Sequence, residues 1–477
     1  MLFDSFSFAI FLPITFFLYW FIFNKNKQAQ NFLLIITSYF FYGCWDWRFL
    51  ILLTFSILLN YVTGLKIASS SSYKKYYLIC AVIINLSLLG FFKYFNFFIE
   101  SFNDLLTSFG INQSVSTLYI ILPVGISFYT FHGLSYIIDI YYDKIKPTRN
   151  IIDYSVFVSY FPLLVAGPIE RARHLLPQLK ERRKFDYLQA TNGLKQILWG
   201  FLKKVVIADN CAAHVNEIFY NYTEHSGSTL LLGAFYFTIQ IYCDFSGYSD
   251  IALGVSRLFG IELLKNFNYP YFSRNIAEFW RRWHISLSSW FKDYLYIPLG
   301  GSREGLPITI RNTFIIFIVS GFWHGANWTF IVWGAINALL IVPSIIIRTN
   351  RTTLDTVATG RKFPSIKECI QLLSTFILTT FAWIIFRSES ISQAFHYIIR
   401  IFDSSLFSIP HHISLSLLFI ILFLFIVEWI NRFKNFGLEN IGNNWHRSIR
   451  WSFYIIIILV IIASAPEVSQ QFIYFQF

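Results

Sequence analysis

The sequence predicts an all-α polytopic membrane protein, and three features carry that prediction. Hydrophobic residues make up 55% of the chain and charged residues only 13%, about half the charge of a typical soluble protein. Apolar runs recur almost throughout the 477 residues, so one membrane domain, 1–477, is expected rather than a string of soluble domains. Aromatic residues reach 20%, with Trp and Tyr suited to the membrane interfaces and Phe to lipid-facing and interhelical space.

A helix needs roughly 20 apolar residues to cross the hydrocarbon core, and its backbone polar groups must be bonded within it. In chain order the candidate runs are 8–23, 32–43, 49–65, 76–95, 118–141, 194–208, 230–243, 313–322, 328–347, 370–386, 415–430 and 451–463. Several are short, so about ten to twelve spans are expected. The first run reads as a retained helix, because Asp4 stands where a cleavable signal is basic and no small-residue cleavage site follows.

Charge orients the bundle. Lys25 and Lys27, then Lys66, Lys74 and Lys75, then Lys144, Lys146 and Arg149 occupy alternate loops, whereas Glu100, Asp104, Glu217 and Glu224 fall in the intervening ones. The positive-inside rule places the basic loops in the cytoplasm and both ends of the chain outside. It also accounts for the net charge of +12 without nucleic acid. The five cysteines are scattered, with no disulfide framework and no metal-ligand spacing.

Two regions are not simple spans. The stretch 161–184 begins apolar, turns at Gly167-Pro168 and becomes basic, which suggests a re-entrant dip followed by a cytoplasmic segment. The stretch 265–311 is too charged to cross lipid and too aromatic for a free loop, which suggests an interfacial amphipathic helix at the cytoplasmic face.

Histidine is the side chain best suited to shuttle a proton near neutrality. His225, His396, His411, His412 and His446 fall in polar loops and read as surface residues. His132, His174 and His214 are intermediate, His132 being the pattern of a hydrogen-bonded core histidine. His324 stands apart in Ser320-Gly321-Phe322-Trp323-His324-Gly325-Ala326-Asn327-Trp328, between two apolar runs. Its flanking glycines let a helix end and another backbone or a ligand come close. It reads either as a proton shuttle, with Asn327 orienting it or donating to an oxyanion, or as a histidine satisfying a helix end. His284 lies in Trp280-Arg281-Arg282-Trp283-His284. Arg281 and Arg282 suit a phosphate-bearing donor such as a nucleotide thioester, or equally anionic lipid headgroups. Asp244 and Asp250 either neutralise nearby arginines or line a polar passage. Cys243, with nothing beside it to favour a thiolate, is a poor nucleophile.

Taken together these segments resemble the membrane-bound O-acyltransferase (MBOAT) superfamily, and more closely its bacterial alginate and peptidoglycan O-acetyltransferase branch. The resemblance rests on Leu122 to Phe131, Ala166-Gly167-Pro168-Ile169, Asp244 to Asp250, Phe279 to Ser288, Asp293 to Gly301, Phe322 to Trp328 and the final Gln471 to Phe477. Cys243 departs from it, standing where a larger apolar or aromatic residue is expected.

The resemblance implies an MBOAT-type bundle with a funnelled centre, His324 as the essential histidine and His284 as a second one. It also implies a multi-pass protein of the bacterial inner membrane, a cytoplasmic acyl thioester donor (acetyl-CoA), no bound cofactor, a periplasmic acetyltransferase partner and a polysaccharide acceptor. On this reading Arg281, Arg282 and Lys292 attract the donor's phosphates, Trp283 and Asn327 line the substrate site, and no metal is called for. The alternatives are D-alanyl transfer to teichoic acid and, in a different class, a secondary transporter or flippase, for which inverted repeats are expected and none is seen.

Overall fold

The computed structural model describes residues 1–111, 114–465 and 472–473, and those residues form helices and connecting turns without a β-strand. The expected family signature at Gln471 and at 474–477 lies outside them. The chain divides into two compact units, Met1–Ala190 with Val255–Leu264, and Thr191–Gly254 with Lys265–Phe477.

The first unit contains α1 (Phe6–Phe17), α2 (Lys27–Gly43), α3 (Phe49–Ser69), α4 (Lys74–Leu89), α5 (Phe95–Ser108), α6 (Ile126–Tyr141), α7 (Ile151–Ser159) and α8 (Ala172–Lys180). A π-helical turn, Gly90–Tyr94, joins α4 to α5, so helix runs unbroken from Lys74 to Ser108. Lipid is as apolar as the helices it bathes, so helix pairing there relies on close packing and hydrogen bonds. Asn60 of α3 and Asn85 of α4 supply such a bond, their amides pairing reciprocally at 3.1 and 3.0 Å. His132 of α6 is a buried core histidine, its Nε2 accepting from the Glu170 amide at 3.1 Å.

The second unit takes in most of α9 (Tyr187–Phe201), α10 (Asp209–Tyr220) and the greater part of the 32-residue α11 (Gly227–Leu258). The short helices α12 (Ile276–Arg282) and α13 (Ile285–Phe291) follow, then the long apolar α14 (Leu306–His324), α15 (Trp328–Ile346) and α16 (Ile366–Arg387). The remainder is α17 (Ile391–Ile401), α18 (Leu415–Ile430) and α19 (Arg447–Ser464). Helices α14 and α15 pack backbone against backbone because glycine removes the side chain where they meet. A Cβ on Gly321 would lie 2.1 Å from the Phe330 carbonyl oxygen, and one on Gly334 would lie 2.3 Å from that of Phe317. Ser365 and Glu368 start α16 with a reciprocal capping box.

Six helices are long and apolar enough to cross a membrane: Phe49–Ser69, Lys74–Ser108, Leu306–His324, Trp328–Ile346, Ile366–Arg387 and Arg447–Ser464; Phe6–Ile22 and Leu415–Ile430 are shorter apolar helices. The protein is a multi-pass membrane protein. Several expected spans take another form for identifiable reasons. The run 118–141 becomes helical only at Ile126, after Pro123 and Gly125, whose φ of +76° stops a helix from starting earlier. The run 194–208 ends in a π-helical turn, Leu202–Ala208, carrying the buried Lys203 and Lys204. The stretch 161–171 is non-helical and buried, the setting in which irregular backbone is tolerated at membrane depth.

The expectation of an amphipathic helix at 265–311 is corrected. Here α12 and α13 are buried elements of the second unit, with Arg282, Trp283 and His284 all enclosed. Burial of both faces, rather than one, is what the density of Trp and Phe in this stretch reflects.

Candidate active site

His324 is the last residue of α14, and the turn through Gly325 and Ala326 leads directly into α15. Its side chain is enclosed, only 4% exposed, with Trp333 at 5.3 Å and Phe386 at 5.5 Å between ring centroids, both edge-on. His284, 1% exposed, sits between α12 and α13 with φ at +43°, a conformation that is uncommon for a residue with a side chain. Backbone strain of this kind persists where surrounding contacts enforce it, and here it aims the ring inward. The two imidazoles lie 6.4 Å apart between centroids, tilted by 59°. Trp323 lies beside both, at 6.0 Å from His284 and 5.0 Å from His324, and Phe245 closes edge-on against His284 at 4.6 Å.

The hydrogen bonds around His284 define which nitrogen is basic. Asn266 Oδ1 accepts from the Ser286 hydroxyl at 2.9 Å, while the Asn266 amide nitrogen donates to Ser249 at 3.2 Å. The oxygen therefore faces His284, whose Nδ1 lies 3.0 Å away and must carry the proton. Nε2 is left as the lone-pair nitrogen. Burial pushes the pKa of this imidazole down, to about 3, so the ring is neutral at physiological pH.

The other expected site residues divide. Trp283 is buried and stacks on Phe279, with Trp383 at 5.0 Å, so it builds the aromatic wall behind the histidines. Arg282 is also buried, and its guanidinium is committed to Glu278 and to the carbonyls of Asn268 and Asp355. Arg281 is half-buried and donates to the carbonyls of Asn350 and Thr353. Both arginines thus hold the 350–355 segment against α12. Lys292 is exposed at the start of a π-helical turn, Lys292–Tyr296. Asn327 caps α15, accepting from the Thr329 amide at 3.0 Å and donating to the Glu389 carbonyl at 3.0 Å. Its amide closes the turn after His324. Beside Glu389 opens a polar cleft of about 360 Å³ lined by Tyr220, Tyr222, Glu389, Ser390, Ser392 and Gln393.

Asp244 and Asp250 pair with lysines rather than arginines. Lys204 bridges Asp209 and Asp244, both at 2.8 Å, and Lys203 pairs with Asp250. This buried network neutralises the carboxylates that α11 carries between Tyr242 and Asp250. Cys243 is fully buried. Asn266, Trp333, Trp383 and Phe386 were not anticipated as site residues; only the fold brings Asn266 to His284, 18 positions away.

A helical membrane bundle that encloses two imidazoles behind aromatic walls defines a class: a polytopic membrane protein with a buried histidine pair. The chain belongs to the MBOAT, membrane-bound O-acyltransferase, family, whose model matches residues 141–387, and it is an O-acyltransferase. It is 40% identical to the probable alginate O-acetylase of Pseudomonas aeruginosa over 81% of this chain and 71% of that one. It is 38% identical to the peptidoglycan O-acetyltransferase of Helicobacter pylori over 80% of this chain and 76% of that one. Similarity to the teichoic acid D-alanyltransferase of Bacillus subtilis is 31% and covers 46% of this chain and 58% of that one. Membership of an enzyme family sets the transporter alternative aside.

Proposed function

We propose that this protein takes an acetyl group from a cytoplasmic thioester, acetyl-CoA, and transfers or relays it across the bacterial inner membrane for O-acetylation of a cell-envelope or extracellular polysaccharide. The observation that carries the reading is the enclosed pair His284 and His324, 6.4 Å apart. The relatives named alginate O-acetylase and peptidoglycan O-acetyltransferase, matched over about four-fifths of the chain, support acetyl as the acyl group and a polysaccharide as the final acceptor.

In this mechanism His324 takes the proton of an acceptor hydroxyl as its oxygen attacks the thioester carbonyl. The carbon–sulfur bond then breaks, and the proton passes to the departing thiolate. His284, neutral and with Nε2 as its lone-pair nitrogen, accepts a hydrogen bond from a reactant and orients it. The aromatic walls exclude water, which protects the thioester from hydrolysis. The exposed Lys292 draws in the donor's phosphates, while Arg281 and Arg282 position the 350–355 segment. The hydroxyl belongs to a sugar or to a periplasmic acetyltransferase partner. No metal takes part in these steps.

The test uses purified protein in lipid nanodiscs with labelled acetyl-CoA and, in parallel, a D-alanyl thioester donor. Acetyl transfer to a polysaccharide or partner, lost in His324→Ala at normal abundance and folding, supports the reading. Full-rate transfer by His324→Ala, or labelling from the D-alanyl donor alone, overturns it.

A further inference from the structure

The fold gathers three metal-binding side chains at a place distinct from the histidine pair. Glu217 lies in the last turn of α10, His225 in the turn just before α11, and His412 in the loop leading to α18. Their spacing along the chain shows no metal pattern, and His225 and His412 read as surface loop residues until the structure places them together. Glu217 Oε1 lies 3.1 Å from His225 Nε2, and Oε2 lies 3.1 Å from His412 Nε2. One donor atom from each residue falls within 4.8 Å of the others, and the two imidazoles face at 87° with centroids 5.3 Å apart.

Two further observations separate this cluster from an ordinary surface ion pair. The Glu217 side chain is only partly exposed, and its Oε2 atom itself is closed off from solvent with His412 Nε2 at 3.1 Å as its near neighbour. The two carboxylate oxygens thus face one imidazole nitrogen each. His412 also holds φ at +66°, a conformation that costs energy for a residue with a side chain and that turns its ring toward Glu217. The ligand backbones are tied down as well. Arg400 donates to the His225 carbonyl at 3.1 Å, and the His411 amide donates to Thr229 Oγ1 at 2.9 Å.

We propose that Glu217, His225 and His412 bind a divalent transition-metal cation of the zinc type. Two imidazole nitrogens and one carboxylate suit zinc and its neighbours, whereas calcium and magnesium require all-oxygen shells. Tetrahedral coordination with bonds of about 2.0–2.2 Å brings donor atoms to roughly 3.3 Å from one another, a closure that partly exposed side chains reach by rotation. Three protein ligands leave a fourth position for water or an oxygen donor from outside. The cation ties the α10–α11 turn to the loop before α18. It also sits at the same end of the second unit as the turn after His324: Asn216, next to Glu217, accepts from Arg387 at 2.9 Å, and Glu389, two residues on, accepts from Asn327 at 3.0 Å.

The experiment titrates the full chain in detergent, stripped with EDTA, with Zn2+ by calorimetry and with Co2+ by visible absorption. Expected are one equivalent bound, the intense absorption of low-coordinate Co2+, no competition from Mg2+ or Ca2+, and a loss of at least about tenfold in affinity for each of Glu217→Gln and His412→Asn. His396→Ala serves as a surface-histidine control and binds as the wild type does. Uptake that is equal in wild type and in the Glu217→Gln/His412→Asn double variant, itself monodisperse and active in acyl transfer, overturns the proposal. So does Co2+ that stays octahedral and pale.

Discussion

Asn266 Oδ1 and His284 Nδ1 lie 3.0 Å apart in the buried centre of the second unit. A neutral amide, rather than a carboxylate, therefore chooses the tautomer of this histidine. An amide orients the ring without stabilising a positive charge on it, which suits a residue that accepts a hydrogen bond rather than one that cycles through an imidazolium.

Replacing Asn266 should thus alter turnover more than binding. Asn266→Ala is expected to lower kcat by about 10- to 100-fold, the effect of losing one buried orienting hydrogen bond, with KM for the donor little changed. Asn266→Asp should move the acidic limb of the pH–rate profile. An unaltered profile in both variants would mean that the contact is purely architectural.

The two histidines should be unequal. His324→Ala is expected to reduce acyl transfer by at least about 10²- to 10⁴-fold, the usual contribution of a general base. His284→Gln keeps a hydrogen-bond acceptor in place and should retain more activity than His284→Ala. Single-turnover transfer of labelled acetyl measures both, and equal losses in the two His284 variants would argue against an orienting role.

Burial of His284 also predicts a pH dependence of stability. Its ordinary pKa of 6.5 falls to about 3 on folding, so between those values the unfolded chain binds the proton and the folded chain does not. Stability therefore falls as pH drops from about 6.5 towards 3, by at most about 1.4 kcal/mol per pH unit from this one group. Thermal melts of His284→Gln in detergent should show a shallower acid slope than the wild type; parallel slopes would refute the assignment.

Gly321→Ala or Gly334→Ala should be among the most damaging single-methyl additions. Each Cβ would meet a backbone carbonyl near 2 Å, which no rotamer change relieves. Overpacking typically costs about 1–3 kcal/mol, occasionally more, and here it should lower both Tm and activity. A variant with unchanged Tm would show that the α14–α15 pair separates freely.

Lys204 carries a further prediction. Lys204→Met would leave Asp209 and Asp244 facing each other in a buried setting, at a cost of about 3–5 kcal/mol. Loss of monodisperse protein on size exclusion is the expected outcome, with Lys204→Arg milder.

The membrane class, the long apolar helices and the buried position of His324 were legible because hydropathy and flanking glycines are local properties. What escaped depends on residues far apart in the chain. The run 118–141 looked continuous because Ile120, Ile121 and Leu122 are apolar, yet Pro123 and Gly125 delay the helix to Ile126. The basic run at Arg281 and Arg282 suggested a surface, whereas Glu278 and the 350–355 carbonyls absorb those donors. The carboxylates of Asp244 and Asp250 implied arginine partners; the π-helical turn at 202–208 instead presents Lys203 and Lys204 to them. Asn266 carried no signal at all, since an asparagine in a loop is usually a turn residue.

The glycine contact between α14 and α15 has a kinetic meaning. Two helices whose main chains touch have little room to slide or rotate separately, so the loop bearing His324 inherits its aim from a stiff hairpin formed when the protein folds. The imidazole is then in position before any ligand arrives. In the proposed mechanism, motion during turnover falls to the reactants, and the slow event to look for is their passage in and out rather than a rearrangement around His324.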